Sequence, residues 1–369
     1  MREKIIVSVI SDLVTDQRVQ KECNTLYKMG YEVLLTGRKS KRSFSLNELP
    51  YKTVRFYNFF RRGPLMYLMF NTQLFFFLLF QKTDILWAND LDTLLPNYWI
   101  SRLKNTKLVY DSHEYFTESV YKKSSRKIWE KLENYLFPKL KNVITVNDSI
   151  KKIYEEKFHV PITVIRNVPY QFVKKETGLN AVLPENKKLL IIQGMGLNEN
   201  RGMEEAVEMM QFLPDEFILF FIGNGTILNR LKQRVSELKL EPKVTFIDAL
   251  PYAQMMEYTR RAFLGLIFEK IDSSDEHRFS LPNKFFDYLH AGIPVLSSEA
   301  IEIKRIIEQY EAGDFIDDFN PKAIAQKIIS ISNNVPEYER WKHNTVTASA
   351  ALNWENEEAV LINFMKRLK

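Results

Sequence analysis

Apolar residues along this chain fall into two repeating patterns. One is the short unbroken run, as in KIIVSVI at 4–10, which suits a strand buried on both faces. The other has helical spacing, as at Val19, Cys23, Leu26 and Met29, and stops at Gly30. YEVLLT at 31–36 is the next strand, so the chain opens on a β-α-β unit. Further strands are predicted at 84–90, 107–114, 142–148 and 162–169, and helices through Trp99 to Leu103, at 126–140 and at 149–158. Residues 170–187 have no clean periodicity. A second alternation supplies strands at 189–194, 217–223, 244–248, 264–269 and 294–298, with helices between them. The pattern predicts a first domain at 1–170, a linker at 171–187, a second domain at 188–335, and helices at 336–369 that cross back to the first.

A length of 369 residues suits two domains, and 45% hydrophobic with 27% charged residues is a globular composition. The single cysteine, Cys23, excludes an internal disulfide and suits a reducing compartment. The first strand starts near Lys4, which leaves no room for a signal peptide, so a cytoplasmic protein is expected. The net charge of +6 is uneven: Lys39, Lys41, Arg42, Lys52, Arg55, Arg61 and Arg62 crowd the early chain. An apolar run at 63–80 follows, broken by Asn71, Thr72 and Gln73 and too short to span a bilayer. It reads as an interior helix or as an interfacial helix whose neighbouring cations sit on an anionic membrane surface, and both hold if one face is buried. Basic residues also suit nucleic acid, but no helix-turn-helix, zinc-finger or RNA-recognition signature is present, and no nucleic-acid partner is expected.

The candidate chemistry gathers where strands end. Asn89-Asp90, Asp111-Ser112-His113-Glu114 and Asn147-Asp148 each close a strand of the first half. In open parallel sheets those ends face the ligand, although such residues also cap helices. The first turn, SDLVTDQR, lacks a glycine-rich fingerprint and argues against a nicotinamide cofactor. In the second half, Gly194, Gly196, Arg201 and Gly202 follow one strand and Gly223-Asn224-Gly225 another. Glycines there let backbone approach a phosphate. Residues 277–294 read as a short helix, with Pro282 in its first turn and Gly292 and Pro294 as stops. Asn283, Lys284, Asp287 and Ala291 share one face; Pro282, Phe285, Phe286 and Leu289 lie opposite. A helix start can hold a phosphate, Lys284 adds a cation, and Asp287 can accept two ribose hydroxyls. The same pattern also fits an ordinary amphipathic helix with a solvated face. Five histidines and one cysteine show no metal-ligand spacing, so no metal is expected.

DQRVQKE near the start, Asn89 with DLDTLLP, KLVYDSHE, ITVND, IRNVP, GNG and LPNKFFDYLHAGIPV together resemble the retaining glycosyltransferases of family 4. The resemblance covers nearly the whole chain. It implies the α/β GT-B fold, two Rossmann-like doubly wound parallel-sheet domains facing a central cleft. It also implies transfer of a sugar from a nucleoside diphosphate sugar to an acceptor hydroxyl, with no further cofactor; a UDP-linked donor is expected, and the cations beside the short apolar run point to a lipid-linked or cell-surface glycan as acceptor. By the same resemblance Asp287 takes the place of the second glutamate of the family's paired-glutamate motif, which holds the donor ribose, with Asn283 beside it. Lys284 and Arg201 would face the diphosphate, and His113 would touch the transferred sugar. Gly194, Gly196, Gly223 and Gly225 would line the nucleotide site. Three positions depart from the pattern. Phe279 stands where the first glutamate belongs, with Glu276 or Glu269 as substitutes; Met195 replaces a basic residue; and SDLVTD replaces a glycine-rich loop. These departures keep two rivals open, a GT-B epimerase and a non-catalytic nucleotide-binding module at a membrane surface.

Overall fold

The computed structural model describes residues 2–14, 16–39, 48–60, 62–119, 123–171 and 186–368. The chain divides into two compact units, Met1–Asn167 with Asn356–Lys369, and Val168–Glu355. The first unit holds β1 (Lys4–Ser8), β2 (Glu32–Lys39), β3 (Lys52–Tyr57), β4 (Ile85–Asn89), β5 (Lys107–Ser112), β6 (Val143–Thr145) and β7 (Ile162–Val164). They form one parallel sheet in the order β3-β2-β1-β4-β5-β6-β7. The second unit holds β8 (Lys188–Gly194), β9 (Phe217–Gly223), β10 (Val244–Ile247), β11 (Ala262–Ile267), β12 (Val295–Ser297) and β13 (Gly313–Phe315). Its sheet is also parallel, in the order β10-β9-β8-β11-β12-β13. Each sheet reverses its winding beside its first strand, between β1 and β4 and between β8 and β11. Those are the switch points where open α/β sheets bind ligands.

Helices cover both faces of each sheet, which is why the central strands read as unbroken apolar runs. In the second unit, Leu190, Ile192, Leu219 and Phe221 pack into one apolar layer, while Leu189, Ile191, Ile218 and Phe220 pack into the other. Successive residues of one strand thus feed opposite layers. The strands that pattern reading did not find, β3 and β13, are both sheet edges and only partly buried. An edge strand is half-solvated and needs no apolar run.

Asp16 caps the Gln17–Lys28 helix by accepting from the Val19 amide at 3.2 Å. This helix buries the expected Val19, Cys23 and Leu26, and with them Arg18 and Glu22. The Pro64–Phe80 helix buries Met66, Phe70, Leu74 and Leu78, one residue per turn, and the last three pack with Ile6, Leu34, Leu86 and Ile100. Leu65, Leu68, Phe76 and Phe80 on its other side are exposed. Among the described residues, no helix is long and apolar enough to cross a membrane.

The segment expected to return as a whole divides instead. The Val335–Ala351 helix stays with the second unit, and only residues from Asn356 join the first. There Glu357 takes Arg166, and Glu358 takes Thr25 and Lys28. Most of the expected linker, 172–185, lies outside the described residues, as do Lys41, Arg42 and Arg61.

Candidate functional site

Each unit carries a charged cluster at the carboxyl end of its sheet. In the second unit the cluster centres on Glu269, two residues beyond β11 and fully buried. Its Oε1 accepts from Arg201 Nη1 at 2.6 Å and lies 4.0 Å from Lys284 Nζ. Its Oε2 is 3.6 Å from His277 Nδ1, and that nitrogen is also 3.1 Å from the Asn200 carbonyl. Lys284 sits in the first turn of the Asn283–Ala291 helix, whose N-cap residue, Pro282, makes no side-chain hydrogen bond. The helix start therefore keeps amide donors and its positive dipole end without a side-chain acceptor. Burial lowers the Lys284 ammonium to about 8, the charge of Glu269 opposes that fall, and Arg201 adds to it. Two of the expected diphosphate cations are thus together, and the carboxylate between them is one of the two substitutes named for Phe279. The Glu276 side chain lies outside the described ones.

Asp287, expected to accept ribose hydroxyls, is buried, with Phe285, Phe286, Tyr288 and Leu289. Its Oδ1 accepts from the Tyr252 hydroxyl at 2.8 Å and its Oδ2 from Gln193 Nε2 at 3.1 Å. Thr259 donates to Gln193 Oε1 at 2.6 Å, which fixes the amide with its nitrogen toward Asp287. Burial first, then the charge of Asp287, raise the Tyr252 hydroxyl above its ordinary range. Asp287 therefore ties its helix to β8 and to the Tyr252–Thr259 helix. Asn283 is exposed at the helix start.

The four glycines divide into two kinds. A Cβ on Gly223 would lie 1.9 Å from the Gly194 carbonyl oxygen, and one on Gly225 would lie 1.8 Å from that of Leu197. These two let the loop after β9 pass over the loop after β8. Gly194 and Gly196 meet nothing closer than 3.8 Å, so their outer side is open. Met195, between them, is 69% exposed.

In the first unit the cluster centres on His113, just past β5. Its Nε2 is 3.1 Å from Asp111 Oδ2 and 3.1 Å from Asn89 Oδ1. Its Nδ1 is 3.5 Å from Asp90 Oδ2, and its backbone N–H donates to Asp90 Oδ1 at 2.9 Å. Asp90 itself has φ 58° and ψ 164°. Residues other than glycine rarely hold that conformation, at a cost of about 1–3 kcal/mol. Arg18 reaches across from the Gln17–Lys28 helix, with Nη2 2.9 Å from Asp111 Oδ1, Nε 3.2 Å from Oδ2 and Nη1 2.8 Å from the Ile165 carbonyl. Glu22, one turn on, lies 3.0 Å from Arg18 Nε.

Burial works against the charge on His113, but Asp90 and Asp111 outweigh it and raise the imidazole to about 10. Burial raises Asp90 to about 6 although His113 opposes this. Burial would raise Asp111 too, yet Arg18 and His113 hold it well below the usual carboxylate range. Burial, then the charge of Asp111, push Glu22 well above that range. Glu22, Asp111 and His113 bring potential metal-ligand atoms within 4.8 Å of one another. Arg18 already engages both Asp111 oxygens there, so this donor set fits a guanidinium better than a metal ion.

Two family models match the chain side by side. Residues 17–168 match Glycosyltransferase Family 4, and residues 175–347 match Glycosyl transferases group 1. Both models are of glycosyltransferases, and together they span residues 17–347. A curated relative, the amylovoran biosynthesis glycosyltransferase AmsK of Erwinia amylovora, is 24% identical over 150 residues, or 40% of this chain and 37% of AmsK. The chain thus matches little more than a third of that relative's length. Among solved structures, the sucrose-phosphate synthase of Thermosynechococcus elongatus is 16% identical, with a TM-score of 0.78 and coverage of 100% and 99% of the two chains. Anabaena Alr3699/HepE in complex with UDP-glucose is 14% identical, with a TM-score of 0.70 and coverage of 99% of each chain. At these identities the likeness shows the fold, which is the expected GT-B class of two parallel-sheet α/β units.

Sequence reasoning singled out His113, Arg201 and Lys284, placed Asp90 among the polar strand ends, and missed Arg18 and Glu22 as parts of a site. DQRVQKE places an arginine and a glutamate four apart, a spacing that pairs them on one helix face. Charges at core positions are rarely placed without a partner.

Proposed function

We propose that this glycosyltransferase moves a sugar from a uridine diphosphate sugar to a hydroxyl of a lipid-linked or cell-surface glycan, with retention at the anomeric carbon. The observation that carries this reading is the Arg201–Glu269–Lys284 group beside an uncapped helix start at the switch point of the second unit. It offers two cations and backbone donors to a diphosphate. The bond from the anomeric carbon to the diphosphate breaks, and a bond from that carbon to the acceptor oxygen forms on the same face. The acceptor proton passes to the leaving phosphate oxygen. HepE has been solved with UDP-glucose and AmsK is named for polysaccharide synthesis, which supports the choice of donor and acceptor class.

The acceptor reading brings a lipid surface with it. Leu65, Leu68, Phe76 and Phe80 form an exposed apolar edge, extended by Trp99, which meets Phe75 edge-on at 6.2 Å. Lys39, Lys52 and Arg62 are exposed, whereas Arg55 turns toward Asp12 at 3.6 Å. Each exposed cation near anionic lipid adds about 1 kcal/mol, screened by salt.

A panel of nucleotide sugars tests the reading, with released diphosphate and the configuration of the product as readouts. Turnover with one donor and a retained anomeric centre is expected. Lys284→Ala should lower that turnover by about 10²–10³. Saturable nucleotide binding with no turnover on any donor would make the chain a non-catalytic binding module instead.

A further inference from the structure

We infer that His113 works as a fixed imidazolium and that Arg18 and Asp111 are positioning residues that set its charge and its orientation. This rests on His113 meeting the transferred sugar. Both ring nitrogens face carboxylates, Nε2 toward Asp111 at 3.1 Å and Nδ1 toward Asp90 at 3.5 Å. A neutral imidazole would aim one lone pair at a carboxylate; the doubly protonated ring has a donor for each. Asp111 stays ionised because Arg18 reaches both of its oxygens. Glu22, buried against that pair, then fits as a neutral carboxyl. Two cations, Arg18 and His113, meet two anions, Asp90 and Asp111, so the buried group is balanced. The other acids that act on it are Asp92, itself buried with its carboxyl pushed well up, and Glu114.

An imidazolium has no lone pair to take a proton, so His113 cannot be the base for the acceptor hydroxyl. It donates a hydrogen bond and a positive field. The longer Nδ1 contact is the edge a substrate oxygen can share. Proton transfer then falls to the leaving phosphate.

The test is nuclear magnetic resonance of the full chain with nitrogen-labelled histidine, titrated from about pH 5 to about pH 10, with His113→Gln identifying the signal. In the unaltered protein His113 should keep both protons to about pH 9. Asp111→Asn should drop its titration by more than one pH unit and give transfer a new alkaline limb. Glu22→Gln should leave the His113 titration in place, because an amide matches the neutral carboxyl. Asp90→Asn, at the more exposed partner, serves if Asp111→Asn does not fold, and should also lower the titration. A His113 that titrates near pH 6.5 in the unaltered protein would overturn the inference. So would a Glu22→Gln shift as large as that of Asp111→Asn. A protein with protonated His113 that releases diphosphate from no nucleotide sugar would sink the functional reading while leaving the charge assignment intact.

Discussion

Lys284 should make diphosphate binding depend on pH in a way that can be worked out in advance. Its ammonium keeps its proton only to about 8, against an ordinary 10.5. A diphosphate beside it favours the charged form, so binding raises that value again. Below about pH 8 the lysine is already charged and affinity should be level. Above it the ligand must bring a proton with it, and affinity should fall about tenfold per pH unit, or about 1.4 kcal/mol. At about pH 9 close to one proton should be taken up for each ligand bound. Calorimetric titration with uridine diphosphate, in two buffers of different ionisation heat, reads both quantities. Lys284→Met should bind more weakly and lose the slope. Glu269→Gln removes the charge that supports the ammonium, so the break should move below pH 8. The effect on folding has its own sign. The folded value lies below the unfolded one, so the charged lysine costs about 3 kcal/mol below pH 8, and this cost fades as pH rises toward 10.5. An affinity that stays level from about pH 7 to about pH 9.5, or a slope that survives in Lys284→Met, would refute the reasoning.

Other outcomes follow from single contacts. Asp287→Ala leaves the Tyr252 hydroxyl and the Gln193 amide without their buried acceptor, and should lower stability by about 2–4 kcal/mol in urea unfolding; unchanged stability with lost nucleotide binding would point to the ribose contact alone. Gly225→Ala drives a Cβ into the Leu197 carbonyl and should impair both folding and activity, whereas Gly196→Ala meets open space and should fold normally; equal behaviour of the two would show the loop packing to be misread. Vesicle sedimentation should show salt-sensitive binding to anionic lipid that weakens when exposed Leu68 and Phe76 become Ser, with little change in stability. Phe70→Ala, on the buried face of the same helix, should cost about 3–5 kcal/mol. No binding at low salt would remove the lipid proposal.

What could be read from the sequence tracks how each residue is buried. Central strands such as FILFFIG announce themselves because both faces are covered. KTVRFY and GDF do not, because an edge strand shares its surface with water. The Asn283–Ala291 helix was found with its stop at Gly292, but the protein partners of Asp287 were not. Periodicity places a side chain on a helix face but cannot show that Tyr252 and Gln193 wait there to receive it. Arg18 and Glu22 were hidden for the same reason. Their partner Asp111 lies 93 positions from Arg18, and only the fold brings the two together.

The second unit is nested within the first. It begins at Val168 and ends at Glu355, and its two ends are clasped where the Trp354 amide donates to the Pro169 carbonyl at 2.8 Å. During synthesis the usual order of domain completion is from the front of the chain backwards. Here the later unit has all its residues before the earlier one does. Until residues 356–369 emerge, Arg166 lacks Glu357 and Trp87 lacks Phe364, its edge-on neighbour at 6.4 Å. The unit that carries His113 thus lacks these contacts until the second unit has been made. The adjoining ends also make the second unit a cassette, which can be exchanged between relatives through two cuts that lie side by side.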